Sequence, residues 1–301
     1  MSYDYGNARI AALRGRLLDE PTLHRLAGSD SPAAFLAQLE RLDDWRTIVH
    51  DVTSVGADPA VVAEMAIERH RTARLGHLRR WYPPPVRGIV ESLTVSLDLE
   101  RLIALLRRRR AGASAEAIGG TLIGGAILGP AELGRIARST GMAGVLALVA
   151  RYDLIDPADA ARLVSGVDLA GGLRAEGWPR FEANLAASVE RHRDARLVGG
   201  GPDVDLVRHA LAREAADRQA VRHELAEGGT AAAAIAERAL TLERLDGEAR
   251  SGRRDPLGVG TVIGYVAAVE AQAIRLRAIL ARVRAGWSAA FTNPYLGRAR
   301  S

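Results

Sequence analysis

The chain has 301 residues, of which 48% are hydrophobic and only 4% aromatic, and its formal net charge is +5. It contains no cysteine, which excludes a disulfide framework, a cysteine-based metal site and a thiol nucleophile. All 41 of its basic residues are arginine. The absence of lysine excludes a phosphate-binding Gly-x-x-x-x-Gly-Lys loop and a Schiff base.

Small aliphatic residues at helical spacing, with few alternating β-branched runs, predict an all-α protein. In chain order, the predicted helices cover residues 3–19, 22–26, 32–43, 59–81, 86–110, 130–140, 142–151, 157–165, 179–193, 204–225, 230–248 and 260–285. The glycine-rich stretch 112–130 is predicted to be a boundary.

Two sequence features argue against membrane insertion. The longest uncharged stretch, 117–131, is shorter than a bilayer span requires. Charged residues such as Asp4 and Arg9 interrupt any apolar core near the N-terminus, so we expect no signal peptide. The chain is therefore predicted not to span a membrane.

The arginine content has two interpretations. It can provide a surface for phosphate or for acidic partners, or it can reflect a GC-rich genome that replaces lysine throughout the proteome. The arginines are interleaved with 36 acidic residues, which favours the second interpretation. Nucleic-acid binding also lacks stacking aromatics or a recognisable module.

The last long helix is the most informative predicted element. Pro256, Gly258 and Gly260 end the preceding element. Steps of four and three residues then separate the apolar positions Val262, Val266, Val269, Ala273, Leu276, Leu280 and Val283. This spacing predicts one continuous packing seam, which is typical of a scaffold rather than of a catalytic element.

A weak internal repeat places an acidic residue late in three segments. Asp98, Asp217 and Glu270 each lie four residues before an aliphatic side chain and upstream of a glycine. Helical sequences often contain this five-residue pattern by chance. Its position late in successive segments is therefore the stronger indication of a repeat.

Two motifs open the chain, residues 5–10 (Tyr-Gly-Asn-Ala-Arg-Ile) and residues 14–18. They resemble the opening of the C subunit of A-type and V/A-type ATPases, the homologue of the eukaryotic V-ATPase d subunit. Residues 98–107 resemble its first internal motif, with Arg101 where asparagine is usual. Residues 255–260 and 270–280 resemble its final helix. The resemblance therefore covers nearly the whole chain.

The resemblance implies an all-α, pseudo-threefold funnel of three similar lobes. We expect these lobes to cover residues 1–115, 116–229 and 230–301. The family's third lobe carries several helices, but only 29 residues separate Leu225 from Asp255 in this chain. The third lobe is therefore predicted to be shortened.

The same resemblance implies a non-catalytic rotor subunit without a cofactor or a metal. It would couple the central axle, subunits D and F, to the membrane proteolipid ring, so that torque passes between ATP chemistry and proton or sodium transport. The membrane-embedded stator subunit is a further candidate contact. The implied location is cytoplasmic, peripheral on the cytoplasmic face of the cell membrane.

The candidate contact residues have two interpretations each. Asp98, Asp217 and Glu270 either line the funnel and meet basic residues of the axle, or pair internally, for example with Arg9 or Arg275. The run Arg107, Arg108, Arg109 and Arg110 either faces anionic headgroups or acidic ring loops, or forms a solvated helix end whose cations complement the helix dipole.

A second set of residues is predicted to be structural. It comprises Tyr5, Asn7, Arg9, Asp255, Pro256, Gly258, Gly260 and Arg275. Asn7 is expected to hydrogen-bond a neighbouring helix, and Arg9 is expected to bridge carboxylates.

Two other function classes remain open from the sequence. The first is a free-standing helical adaptor or an arginine-rich nucleic-acid-binding protein. The second is a helical enzyme with an unrecognised site. His70 and His77 lie about two helical turns apart, and His223-Glu224 lacks the second histidine of a zinc protease motif. We therefore expect these histidines to be packed or solvated rather than metal ligands.

Overall fold

The computed structural model describes residues 3–53, 58–119, 122–165, 177–197, 201–226 and 231–296. Over these residues the protein is helical and contains no strand, so the all-α prediction is confirmed. The α-helices are α1 (Asp4–Arg14), α2 (Glu20–Ala27), α3 (Pro32–Glu40), α4 (Asp43–Thr53), α5 (Pro59–Gly76), α6 (Pro84–Ser92), α7 (Val95–Arg110), α8 (Ala115–Gly119), α9 (Pro130–Arg138), α10 (Gly141–Arg151), α11 (Pro157–Ser165), α12 (Trp178–Arg196), α13 (Pro202–Ala226), α14 (Ala231–Ser251), α15 (Gly260–Ala285) and α16 (Asn293–Leu296). Short 3-10 helices cover Leu78–Trp81 and Ala289–Thr292.

Some predicted helix bounds are wrong, and hydrogen bonds of polar side chains account for two of the errors. The first helix ends at Arg14 rather than at Asp19, because the Asp19 carboxylate instead caps α2 by accepting the Thr22 N–H at 3.0 Å. The predicted helix 86–110 is two helices. The Thr94 hydroxyl donates to the Glu91 carbonyl, and a tight turn separates α6 from α7.

Contacts divide the chain into two compact units. Unit 1 comprises Met1–Leu75 and Gly200–Ser301, and unit 2 comprises Gly76–Gly199. Unit 1 thus joins the two ends of the chain, whereas unit 2 is one continuous segment. The three lobes implied by the resemblance, including the shortened third one, stay a prediction.

Helix α15 is the centre of unit 1 and is buried on more than one side. Its residues Leu276, Ile279 and Val283 pack into a core with apolar side chains of α2 to α5. Ala267 and Ala271 pack in a second cluster with Leu242 and Leu245 of α14. The predicted seam is therefore largely buried, but the alanines that contact α14 bury a second stripe that the seam does not include.

Two glycines allow α15 to approach the end of α14 closely. A Cβ atom on Gly264 would lie 2.9 Å from the Cα of Gly252 and 3.0 Å from the carbonyl oxygen of Glu248. A Cβ atom on Gly252 would lie 2.3 Å from the carbonyl oxygen of Gly260. These neighbours are backbone atoms, so neither position has room for a side chain unless the helices separate.

Unit 2 has its own core, built by α7 and α9 to α12. Leu102, Ile136, Leu146 and Val149 are fully buried in it. One side of α12, including Phe181 and Leu185, packs into the same cluster. Burial of this kind contributes about 1.5–3 kcal/mol for each large aliphatic or aromatic side chain.

The contact between α14 and α15 predicts opposite effects for two glycine-to-alanine changes in helix interiors. Gly264→Ala should lower the free energy of unfolding by about 1–3 kcal/mol, because it overpacks the contact. Gly247→Ala is the matched control, since no atom lies within 4 Å of the position that its methyl group would occupy; it should raise stability by about 0.5–1 kcal/mol through helix propensity. Urea denaturation measures both, and equal effects of the two changes would contradict the close contact.

Candidate functional site: the terminal junction and the predicted contact residues

Asn7 joins the first helix to the turn before α15. Its side chain is 5% exposed, and its Nδ2 atom donates to the carbonyl oxygens of Pro256 and Gly258, both at 3.0 Å. These two partners lie in the turn before α15, and the predicted hydrogen bond to a neighbouring helix stays a prediction. One amide group satisfies two carbonyls that belong to residues about 250 positions away in the sequence.

Asp255 shapes this turn from inside. Its carboxylate accepts the Gly260 N–H at 3.1 Å, and its carbonyl accepts the Thr261 hydroxyl at 2.6 Å. A Cβ atom on Gly258 or on Gly260 would lie 2.3 or 2.8 Å from the Asp255 carboxylate. A side chain at either position would therefore displace the Asp255 carboxylate from its present place.

Tyr5 and Arg9 lie one helical turn apart on α1. The Tyr5 side chain is exposed, and the Arg9 guanidinium lies over its ring at 4.9 Å from the centroid. This is a cation–π geometry. The bridging of carboxylates by Arg9 stays a prediction.

Arg275 connects three helices at the C-terminal end of unit 1. Its Nε atom donates to the Tyr295 carbonyl at 2.9 Å, and its Nη2 atom lies 2.5 Å from the Asp246 carboxylate. Arg275 on α15 thereby connects α14 and α16, and the structural role predicted for it stays a prediction.

Asp98 is fully buried in unit 2 and binds a turn thirty residues away. Its carboxylate accepts the backbone N–H groups of Ile127 at 2.9 Å and Leu128 at 2.7 Å. A Cβ atom on Gly125 would lie 2.1 Å from its Oδ1 atom and 3.0 Å from its Cα atom, so a side chain there would displace Asp98. Burial raises the pKa of the Asp98 carboxyl to about 6, against the lowering effect of the backbone hydrogen bonds.

Glu270 of α15 forms an ion pair within unit 1. Its carboxylate lies 2.8 Å from the Nε atom of Arg71 on α5, and its side chain is only 23% exposed. Arg71 also lies 3.6 Å from Glu68. The backbone of Asp217 lies in α13, but its side chain is outside the described residues. For Asp98 and Glu270 these contacts favour the internal alternative, and pairing with Arg9 or Arg275 stays a prediction.

The four arginines that end α7 contact other parts of unit 2. Arg107 donates to both oxygens of Glu182 at 2.6 Å, and this hydrogen bond raises the pKa of Arg107 and lowers that of Glu182. Arg109 donates to two backbone carbonyls at the end of α9. Arg108 donates to the Ala117 carbonyl at 3.1 Å. Arg110 lies over the Trp178 ring at 5.2 Å.

His70 is buried in unit 1 and stacked on an aromatic ring. The His70 and Trp45 rings lie 4.0 Å apart and 5° from parallel, and Arg74 donates to His70 Nε2 at 3.3 Å. Burial and the charge of Arg74 lower the pKa of His70 to about 3, so the ring is neutral. His77 belongs to unit 2, where its ring stacks at 6.2 Å on Trp81.

Metal sites and membrane spans are both absent from the described part of the chain. Within it, no three His, Asp or Glu side chains are placed to hold a metal ion together. Every described helix is also too short or too polar to cross a bilayer.

Comparisons with known proteins converge on one family. A profile of the "ATP synthase (C/AC39) subunit" family matches residues 6–165, more than half of the chain. Two relatives from two strains of Thermus thermophilus, each the C subunit of a V-type ATP synthase, are 30% identical to the chain over 326 residues. The match covers 94% of this chain and 95% of each relative. Because the aligned length exceeds the length of the chain, the chain carries gaps relative to both relatives.

The burial of Asp98 predicts a specific pH dependence of stability. The folded Asp98 carboxyl has a pKa of about 6, against an ordinary value of 3.8. Protonation of this carboxyl therefore stabilises the folded state fully below pH 3.8, and this stabilisation is lost as the pH rises through 6. Between pH 7 and pH 5, the unfolding free energy of the wild type should therefore rise by about 1 kcal/mol relative to Asp98→Asn. Urea titrations at both pH values measure this difference. A relative loss of wild-type stability at pH 5 would contradict the assignment.

Proposed function

Because the chain belongs to the ATP synthase (C/AC39) subunit family, we propose that it is the non-catalytic rotor subunit that couples the central axle to the membrane proteolipid ring. Its membership of the family confirms the resemblance seen in the sequence. The match over 94% of the chain is the single observation that carries the proposal.

The proposed role is mechanical, and the architecture of unit 1 suits it. An element that transmits torque must resist bending and must not separate at its chain ends. Helix α15 has 26 residues, which at 1.5 Å per residue gives about 39 Å of continuous helix. It is packed on two sides. Asn7 of α1 bonds the turn that precedes it, and Arg275 within it bonds the Tyr295 carbonyl of α16. These contacts support a load-bearing body.

The proposed partners follow from the family and not from a binding site on this chain. They are the axle subunits D and F, the proteolipid ring and, as a further contact, the membrane-embedded stator subunit. In this proposal the protein lies on the cytoplasmic face of the membrane as a peripheral subunit. It supplies no catalytic residue, metal or cofactor of its own.

The residues that contact these partners stay a prediction. Asp98 and Glu270 are engaged within their own units, which favours a structural role for both. Arg107 keeps 63% of its side chain exposed while it pairs with Glu182, and Arg110 is also exposed. These two arginines are therefore the better placed of the predicted residues to meet an acidic loop or an anionic surface.

Native mass spectrometry tests the assembly directly. The chain is tagged, purified from its own membranes in mild detergent and ionised with its bound partners. We expect it to be recovered with a coiled-coil axle subunit, a second small stalk protein and proteolipid subunits. Recovery of the chain alone, or with nucleic acid, would contradict the rotor role and would favour the free-standing adaptor or nucleic-acid-binding protein.

A further inference from the structure

Unit 2 contains a concave site between α11 and α12 that the proposed function does not use. It is a cavity of about 560 Å³, a volume within the range of small-molecule sites. Arg162 of α11 and both Arg180 and Arg191 of α12 line it, while Leu163 and Phe181 contribute an apolar wall. A cavity with three guanidinium groups and an apolar wall suits an anionic organic ligand.

A buried carboxylate fixes two of these arginines. Asp159 is 3% exposed and pairs with Arg162 and with the Nη2 atom of Arg191 at 3.0 Å. Arg191 also donates to the Ser188 hydroxyl at 2.9 Å. The Arg162 and Arg191 side chains are nevertheless 71% and 59% exposed. Because a guanidinium has five N–H donors, each group keeps donors for a ligand while Asp159 holds it in position.

Arg180 differs from the other two because it has no partner among the described residues. It lies in the first turn of α12, where the helix dipole disfavours a cation. A guanidinium at this position, exposed and lining a cavity, is stabilised by an anion that approaches it. The packing of the described residues of unit 2 does not explain why a cation is kept in the cavity wall.

The charges of the lining residues define the class of ligand. Among the described lining residues, three arginines and one aspartate give a net charge of about +2 at neutral pH. Planar guanidinium forks match the oxygen geometry of phosphate and bind it bidentately. The apolar wall of Leu163 and Phe181 leaves room for a nonpolar portion of the ligand.

We propose that the cavity between α11 and α12 binds the phosphate group of a small phosphorylated ligand through Arg162, Arg180 and Arg191. The phosphate belongs either to a soluble compound or to a lipid headgroup, and the recognition chemistry is the same for both. This site goes beyond the rotor role and does not depend on it.

Isothermal titration of the full chain with inorganic pyrophosphate at low salt tests the proposal. We expect saturable one-site binding that Arg180→Ala weakens roughly tenfold, because one charge-assisted interaction is lost. Arg180 has no partner among the described residues, so its removal should leave the melting temperature unchanged. Arg162 and Arg191 are less suitable first targets, since removing either one leaves the buried Asp159 with one partner fewer.

The matched control is Arg151→Ala. Arg151 is an exposed arginine of unit 2 on α10, it does not line the cavity, and the change lowers the net charge by the same amount. Its pyrophosphate affinity should equal that of the wild type. Equal losses in Arg180→Ala and Arg151→Ala would overturn the proposal, since they would show attraction to net charge only.

A flotation assay separates the two sources of phosphate. Vesicles of phosphatidylglycerol are compared with vesicles of phosphatidylcholine. If the protein floats with phosphatidylglycerol vesicles only when Arg180 is present, and does not bind pyrophosphate, the ligand is a lipid headgroup. Pyrophosphate binding without flotation assigns the site to a soluble ligand. The proposal would be overturned if the protein bound neither probe. It would also be overturned if Arg180→Ala left the binding of either probe unchanged.

Discussion

The hydrogen bonds of Asn7 are the constraint on which unit 1 depends. Its amide is buried and reaches two carbonyls of the turn that opens α15, so the first helix and the last long helix are fixed to each other. Arg14 repeats the connection further along α1 by donating to the Thr261 carbonyl at 2.8 Å. The Asn7 side chain is buried, and a buried polar group without a partner costs about 1–3 kcal/mol. The turn is therefore coupled energetically to the beginning of the chain.

Arginine side chains make similar hydrogen bonds to backbone carbonyls elsewhere in the chain. Arg282 donates to the carbonyls of Ala27 and Ser29 at the end of α2, and Arg109 does the same at the end of α9. The last carbonyls of a helix have no partner within it, and the planar fork of a guanidinium can satisfy two of them at once. In a chain without lysine, many arginines thus act as internal connectors. This favours a structural use of the arginine content over a nucleic-acid surface.

The sequence predicted local features better than distant ones. The bounds of α15 agree with the prediction because Gly260 starts the helix and Gly286, with a φ of +67°, ends it. The interruption between α6 and α7 was not predicted, since periodicity continues across it while the Thr94 hydroxyl alters the local bonding. The burial of Asp98 could not be predicted either, because it depends on a turn that packing brings from residues 125–128. The arginine cavity had no sequence signal, as Asp159 and Arg191 are 32 residues apart.

The role that we propose for this chain, the transmission of torque without chemistry, can be tested directly. The most direct test compares ATP hydrolysis with ATP-driven ion uptake in inverted membrane vesicles that contain or lack the chain. We expect vesicles without the chain to hydrolyse ATP but to take up no ions, and adding back the purified chain should restore uptake. Ion uptake that is unchanged without the chain would contradict the claim.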